Sequence, residues 1–225
     1  MNSSYGQRYL FRQWCLRGFV GRFLGALSAL ILALVPAAAG AAPFQIVAFG
    51  DSLSAGYQLP QSNAFPVRLE AALKAKGHDV AVINAGVSGD TASDGVERMD
   101  WSVPDGTQLV ILELGANDML RGLDPDLTRT ALTKILERMQ ARNIKVLVCG
   151  MLAAPNLGAE YRGRFETIYP ELAKQFNVPL YPFFLEGMAR DPALTLSDGM
   201  HPNAAGVDTV VAHILPAVEK LIPQK

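Results

Sequence analysis

The sequence predicts an α/β fold, a parallel sheet with helices on both faces. Two observations carry that reading. Short apolar runs of strand length alternate with longer stretches of helical periodicity about five times between residues 44 and 225. No repeat, linker or low-complexity stretch interrupts the alternation. Such alternation implies a five-stranded parallel sheet in a three-layer α/β/α arrangement. Right-handed crossovers bring the C-terminal ends of the strands to one edge, and ligands of open α/β sheets bind outside that edge.

Each element has its own signal. Residues 45–49 (QIVAF) form a short apolar run closed by Gly50, a buried strand. Residues 63–76 carry Phe65, Leu69, Ala72 and Leu73 at helical spacing and stop at Gly77. Residues 79–84 are a second apolar run, and 91–99 a short helix. Residues 108–114 (QLVILEL) read as the third, central strand. A long helix over 126–142 shows Leu127, Ala131, Ile135 and Met139 along one face. Residues 145–149 are the fourth strand, and 161–176 a helix kinked at Pro170. Residues 179–183 are the fifth strand, and 203–221 a closing helix. The element count suggests a flavodoxin-like strand order.

The amino-terminal residues differ from the rest. Arg8, Arg12, Arg17 and Arg22 are unaccompanied by acidic residues, and an apolar stretch over 23–35 follows. Pro36 then breaks the run, and Ala39-Gly40-Ala41 fits a cleavage site. A basic region, an apolar region and small residues in that order read as a signal peptide over 1–41. The mature domain is then 42–225, exported to the periplasm or secreted. The alternative is an uncleaved anchor, since 23–44 is just long enough to span a bilayer. No stable membrane insertion is expected once the segment is cleaved.

Of the 20 Lys and Arg, 16 remain after residue 41 against 21 Asp and Glu, a net charge of −5. That balance argues against nucleic acid or an anionic membrane as the main partner. About 184 residues suffice for one core without disulfides, and a monomer is expected. The mature part keeps one cysteine, Cys149, inside a strand-like run, where it reads as a small buried hydrophobe.

Four loop segments gather chemistry at the inferred ligand edge. Ser52 follows the first strand in Gly50-Asp51-Ser52-Leu53. There it suits a nucleophile, although a serine in such a place is more often an ordinary turn residue or helix cap. Gly89 lies in 84–91 (NAGVSGDT), where a backbone N–H could approach a ligand unhindered by a side chain. Asn117 lies in 114–118 (LGAND) and offers a side-chain amide, or an Asx-turn. His201 stands three residues after Asp198, in 197–203 (SDGMHPN), a spacing that lets a carboxylate fix the imidazole tautomer. His78 sits in a turn at the other end of the sheet, and His213 reads as a partly buried helix residue.

Together these segments resemble the four sequence blocks of the SGNH, or GDSL, hydrolases. The blocks read here as 50–53 (GDSL), the Gly89 segment, 115–118 (GAND) and 198–201 (DGMH), and the likeness covers the whole mature chain. One departure is Ala116, where the thioesterase branch of the family often has a second glycine. The resemblance implies a serine hydrolase with a flavodoxin-like fold, acting on carboxylic esters and thioesters: aryl esters, acyl thioesters and lysophospholipids. It assigns Ser52 as nucleophile, His201 as general base and acid, and Asp198 as its orienter. It assigns the backbone N–H groups of Ser52 and Gly89 and the Asn117 amide to the oxyanion hole. It implies no cofactor. No His, Cys and carboxylate cluster has metal-ligand spacing, and no phosphate loop is present.

Apolar residues crowd the loops after the third and fourth strands, and Met119, Leu120, Leu152 and Pro155 suggest an acyl groove. The expected partner is a small acyl ester or thioester. An O-acetyl esterase of carbohydrate or peptidoglycan is the alternative reaction, and a binding protein on the same scaffold the alternative class.

Overall fold

A computed structural model describes residues 42–223. The expected leader, residues 1–41, lies outside the described residues. Five strands, β1 (Phe44–Gly50), β2 (Val80–Gly86), β3 (Leu109–Glu113), β4 (Lys145–Cys149) and β5 (Leu180–Tyr181), pair in parallel in the order β2-β1-β3-β4-β5. This is the flavodoxin-like order, with β3 at the centre.

Helices α1 (Ser52–Ala55), α2 (Phe65–Ala75), α3 (Ala92–Ser102), α4 (Ala116–Leu120) and α5 (Pro125–Ala141) come before β4. Helices α6 (Gly158–Glu166), α7 (Ile168–Phe176) and α8 (Ala204–Glu219) come after it. The chain steps from β1 to β2 in one direction and from β2 to β3 in the other. Right-handed crossovers therefore put α2 on one face of the sheet and α3, α5 and α7 on the other. Helix α8 joins the first face by packing against α2.

The register sets the site. Gly50 at the end of β1 lies beside Gly86 of β2 and Glu113 of β3. Three adjacent strands therefore finish level, and the loops bearing Ser52, Gly89 and Asn117 leave side by side. Glycine is needed at 50, because a Cβ there would fall 2.2 Å from Ser54 Oγ and 2.4 Å from Glu113 Oε2. Burial is complete along β3 and over Ala48–Gly50, which explains their unbroken apolar reading.

Four expectations change. The helix over 161–176 is two helices, broken at Thr167 rather than kinked at Pro170. Pro170 cannot donate to the carbonyl four residues back, and its ring crowds that carbonyl, so the chain turns before it. The fifth strand shrinks to Leu180–Tyr181, because Pro182 offers no N–H to continue the ladder. Leu127 is exposed on α5, and Thr128 faces inward in its place, donating to the buried Asp118 at 2.9 Å. His213 is exposed rather than partly buried, with its ring against Gly187. Cys149 is buried as expected, and burial, followed by the nearby Glu113, pushes its thiol well above the ordinary value.

Candidate active site

Asp51 is the first residue past β1, and it is fully buried. Its Oδ1 accepts from Leu53 N at 3.0 Å and so caps α1, which places Ser52 in the first turn. Ser52 is half-buried, and its Oγ lies 2.9 Å from His201 Nε2. His201 Nδ1 lies 2.7 Å from Asp198 Oδ2. The two oxygens of Asp198 divide their work, for Oδ1 accepts from Met200 N at 2.9 Å and from His201 N at 3.0 Å. One carboxylate thus closes the turn and aligns the ring. Partial burial works to raise its pKa, but the hydrogen bonds from Met200, His201 N and the imidazole, with the imidazole's charge, hold it down at about 2.

The His201 ring also packs on Tyr57, with centroids 4.5 Å apart. Its segment is anchored by Leu196 N to His201 O at 2.8 Å and by a bridge between Thr195 and Pro202. The expected trio of Ser52, His201 and Asp198 is therefore assembled in one hydrogen-bonded line.

The expected oxyanion donors lie on the loops that leave β1, β2 and β3 side by side. Gly89 has φ of +91°, a left-handed conformation that glycine adopts without steric cost. Among the described residues, the N–H groups of Ser52 and Gly89 have no acceptor in the chain, which leaves both free for a ligand. Asn117 Nδ2 donates to Asp51 Oδ2 at 3.0 Å and to Asp90 O at 3.0 Å. Both amide hydrogens are thus spoken for, and an oxyanion has to draw one of them away. Asn117 lines the cleft next to Ser52, whereas Gly89 is not part of that lining.

The cleft measures about 680 Å³, and all four expected groove residues, Met119, Leu120, Leu152 and Pro155, line it together with Ser52 and His201. It is largely apolar and of a size to hold an acyl chain. Residues 183–190, after β5, supply a wall that sequence reasoning missed.

Three polar residues that carry the site also escaped sequence reasoning. Arg98 of α3 donates to Gly50 O at 2.7 Å and to Ala85 O at 2.8 Å, and its Nε binds Asp90. It stacks over Phe49 at 4.3 Å and so staples the ends of β1 and β2 to the Asn117 acceptor. Glu113 ends β3 fully buried, accepting from Ser54 Oγ at 2.8 Å and from Asp51 N at 3.3 Å. Burial first, and Asp51 second, pushes it well above the carboxylate range. Tyr57 is the third. A glutamate inside an apolar strand was the one available signal.

Burial raises Asp51 from 3.8 to about 6, against the Leu53 N–H, the His201 charge and the Asn117 amide. A carboxyl with a raised folded value binds more protons folded than unfolded between those limits. Stability from this group is therefore present below about 4 and is lost as pH climbs through about 6. The stability of Asp51→Asn relative to wild type, from urea unfolding, is expected to grow over that interval and then level off. The slope is at most about 1.4 kcal/mol per pH unit. A difference that does not change with pH would refute the assignment.

A serine with a free N–H, an imidazole and a carboxylate, in line at the carboxyl edge of a parallel sheet, define an ester hydrolase. Comparison with known proteins agrees, since the GDSL-like Lipase/Acylhydrolase family matches residues 48–208. The chain belongs to this family. It is 40% identical over 181 residues to an arylesterase of Vibrio mimicus, covering 79% of this chain and 89% of that protein. It is 38% identical over 189 residues to thioesterase 1/protease 1/lysophospholipase L1 of Escherichia coli K12, covering 84% and 89%. The crystal structure of the SGNH-hydrolase family esterase AlinE4 superposes with a TM-score of 0.68 at 46% identity, covering 81% of this chain and 98% of that one.

Proposed function

We propose that the enzyme cleaves esters and thioesters of small to medium acyl chains through an acyl-enzyme on Ser52. The observation that carries this is the Asp198–His201–Ser52 line opening into an aliphatic cleft. His201 Nε2 takes the Ser52 proton as Oγ attacks the carbonyl carbon. The resulting oxyanion is met by the N–H groups of Ser52 and Gly89 and by the Asn117 amide. Collapse expels the alcohol or thiol, which takes the proton from Nε2. Water, deprotonated by His201, then attacks the acyl carbon and frees Ser52. Asp198 keeps Nδ1–H oriented and stabilises the imidazolium.

The aliphatic lining supports an acyl groove over a sugar platform, and the relatives' names support aryl esters, acyl thioesters and lysophospholipids as substrates. The test is hydrolysis of p-nitrophenyl esters of rising acyl length. A kcat/KM that climbs beyond acetate is expected, by up to about tenfold per added pair of methylenes while the groove fills. Activity confined to acetate would move the assignment to an O-acetyl esterase.

The domain is proposed to work as a monomer outside the cytoplasm. The basic, apolar and small-residue sequence of 1–41 supports export. Ala42 at the amino terminus of the secreted protein is the expected finding, and an intact leader would count against it.

A further inference from the structure

Arg190 stands apart from the other arginines. Nine arginines lie among the described residues, and eight of them reach a carboxylate or a backbone carbonyl. Arg190 has neither partner among the described residues, yet it lines the cleft that holds Ser52 and His201. Among the described residues it is the only lysine or arginine in that lining, and it is exposed to solvent. The one carboxylate of the lining, Glu186, lies near Tyr181, whose phenol is raised by burial first and by Glu186 next.

The backbone adds an independent observation. Arg190 has φ of +71°, in the left-handed region. Asn143 and Asn177 adopt similar values just after α5 and α7, where asparagine is an ordinary choice. A long side chain bears a steric cost there that glycine would avoid. A guanidinium is thus held against backbone preference, without an internal partner among the described residues, in a largely apolar cleft.

We propose that Arg190 binds an anionic group on the substrate, a carboxylate or phosphate. The enzyme then favours negatively charged acyl esters over neutral esters of equal chain length. The inference rests on the hydrolase reading of the same cleft. A guanidinium keeps its charge at any working pH and pairs with either oxyanion through two N–H groups. Because the residue is exposed, the preference is several-fold and weakens with salt.

The test uses two matched pairs of substrates. Mono-p-nitrophenyl glutarate against p-nitrophenyl pentanoate places the charge on the acyl side. A lysophosphatidic acid against the monoacylglycerol of the same chain places it on the alcohol side. The readout is the charged-to-neutral ratio of kcat/KM at low salt. Arg190→Gly is expected to lower that ratio roughly three- to fivefold in one pair, which identifies the side. Arg190→Lys should retain part of the preference, and the Tm of Arg190→Gly should not fall. Ratios unchanged within about twofold in both pairs would overturn the proposal while leaving the hydrolase reading intact. Failure of the wild type on all four substrates would instead overturn the hydrolase reading, and this inference with it.

Discussion

Ser52→Ala is expected to fold like the wild type and to turn over esters at least about ten-thousandfold more slowly. The fold survives because Ser52 Oγ supports no structural contact beyond His201 Nε2 and a long 3.5 Å approach to Asp51 Oδ1. The cap of α1 is made by the Asp51 side chain, which remains. Alanine is also the better helix former. What disappears is the atom that bonds the acyl group. Residual rate over water comes from the N–H donors and the cleft, which still bind and polarise the ester. The measurement is kcat on p-nitrophenyl butyrate beside a thermal melt followed by circular dichroism. Turnover above about one per cent of wild type, with a native melt, would remove Ser52 from the nucleophile role.

Asn117→Ala is expected to lower kcat roughly a hundred- to a thousandfold, the usual size of one lost oxyanion donor. KM should change far less, because the amide acts on charge that develops only in the transition state. In the free enzyme the amide is held beside Ser52 by Asp51 Oδ2 and Asp90 O, and one of those bonds has to yield to the oxyanion. That hold also means the alanine variant leaves the Asp51 carboxylate with one hydrogen bond fewer in a buried site. A modest loss of stability should accompany the loss of rate. Wild-type kcat on a poor substrate would show that the two backbone N–H groups suffice. It would reassign Asn117 to holding the loop.

The sequence exposes those parts of the molecule whose cause is local. Ile46–Phe49 and Val110–Leu112 are apolar throughout because both faces of the central strands are covered, and no distant residue is needed to see it. The Asp198–His201 pair is legible because both partners lie in one turn. The remainder depends on contacts across the fold. Arg98 reads as a solvated helix residue, yet its partners Gly50 and Ala85 are 48 and 13 positions away. Glu113 is pushed above the carboxylate range by burial first and then by Asp51, 62 positions earlier, which meets it under Gly50. Tyr57 lies four residues past the first motif and gains meaning only when His201 arrives against its ring. A helix boundary was missed where proline acted at a distance, as at Pro170, and a helix face was misread where Thr128 took the interior from Leu127 through Asp118.

The two halves of the catalytic line are not equally anchored. Ser52 and Asn117 ride on the level ends of β1 and β3, in the middle of the sheet, where opening requires the whole domain to come apart. His201 hangs from a mostly exposed segment over 191–201, secured by a few backbone bonds and by the Asn203 amide, which donates to Ala193 O and Thr195 O. Local opening there costs only those few bonds. On warming, the base can therefore swing away while the sheet remains whole, and function fades at a lower temperature than structure. Thermal tolerance of the activity is then a property of one loop, adjustable by tightening 191–201 without altering the core that sets the melting point.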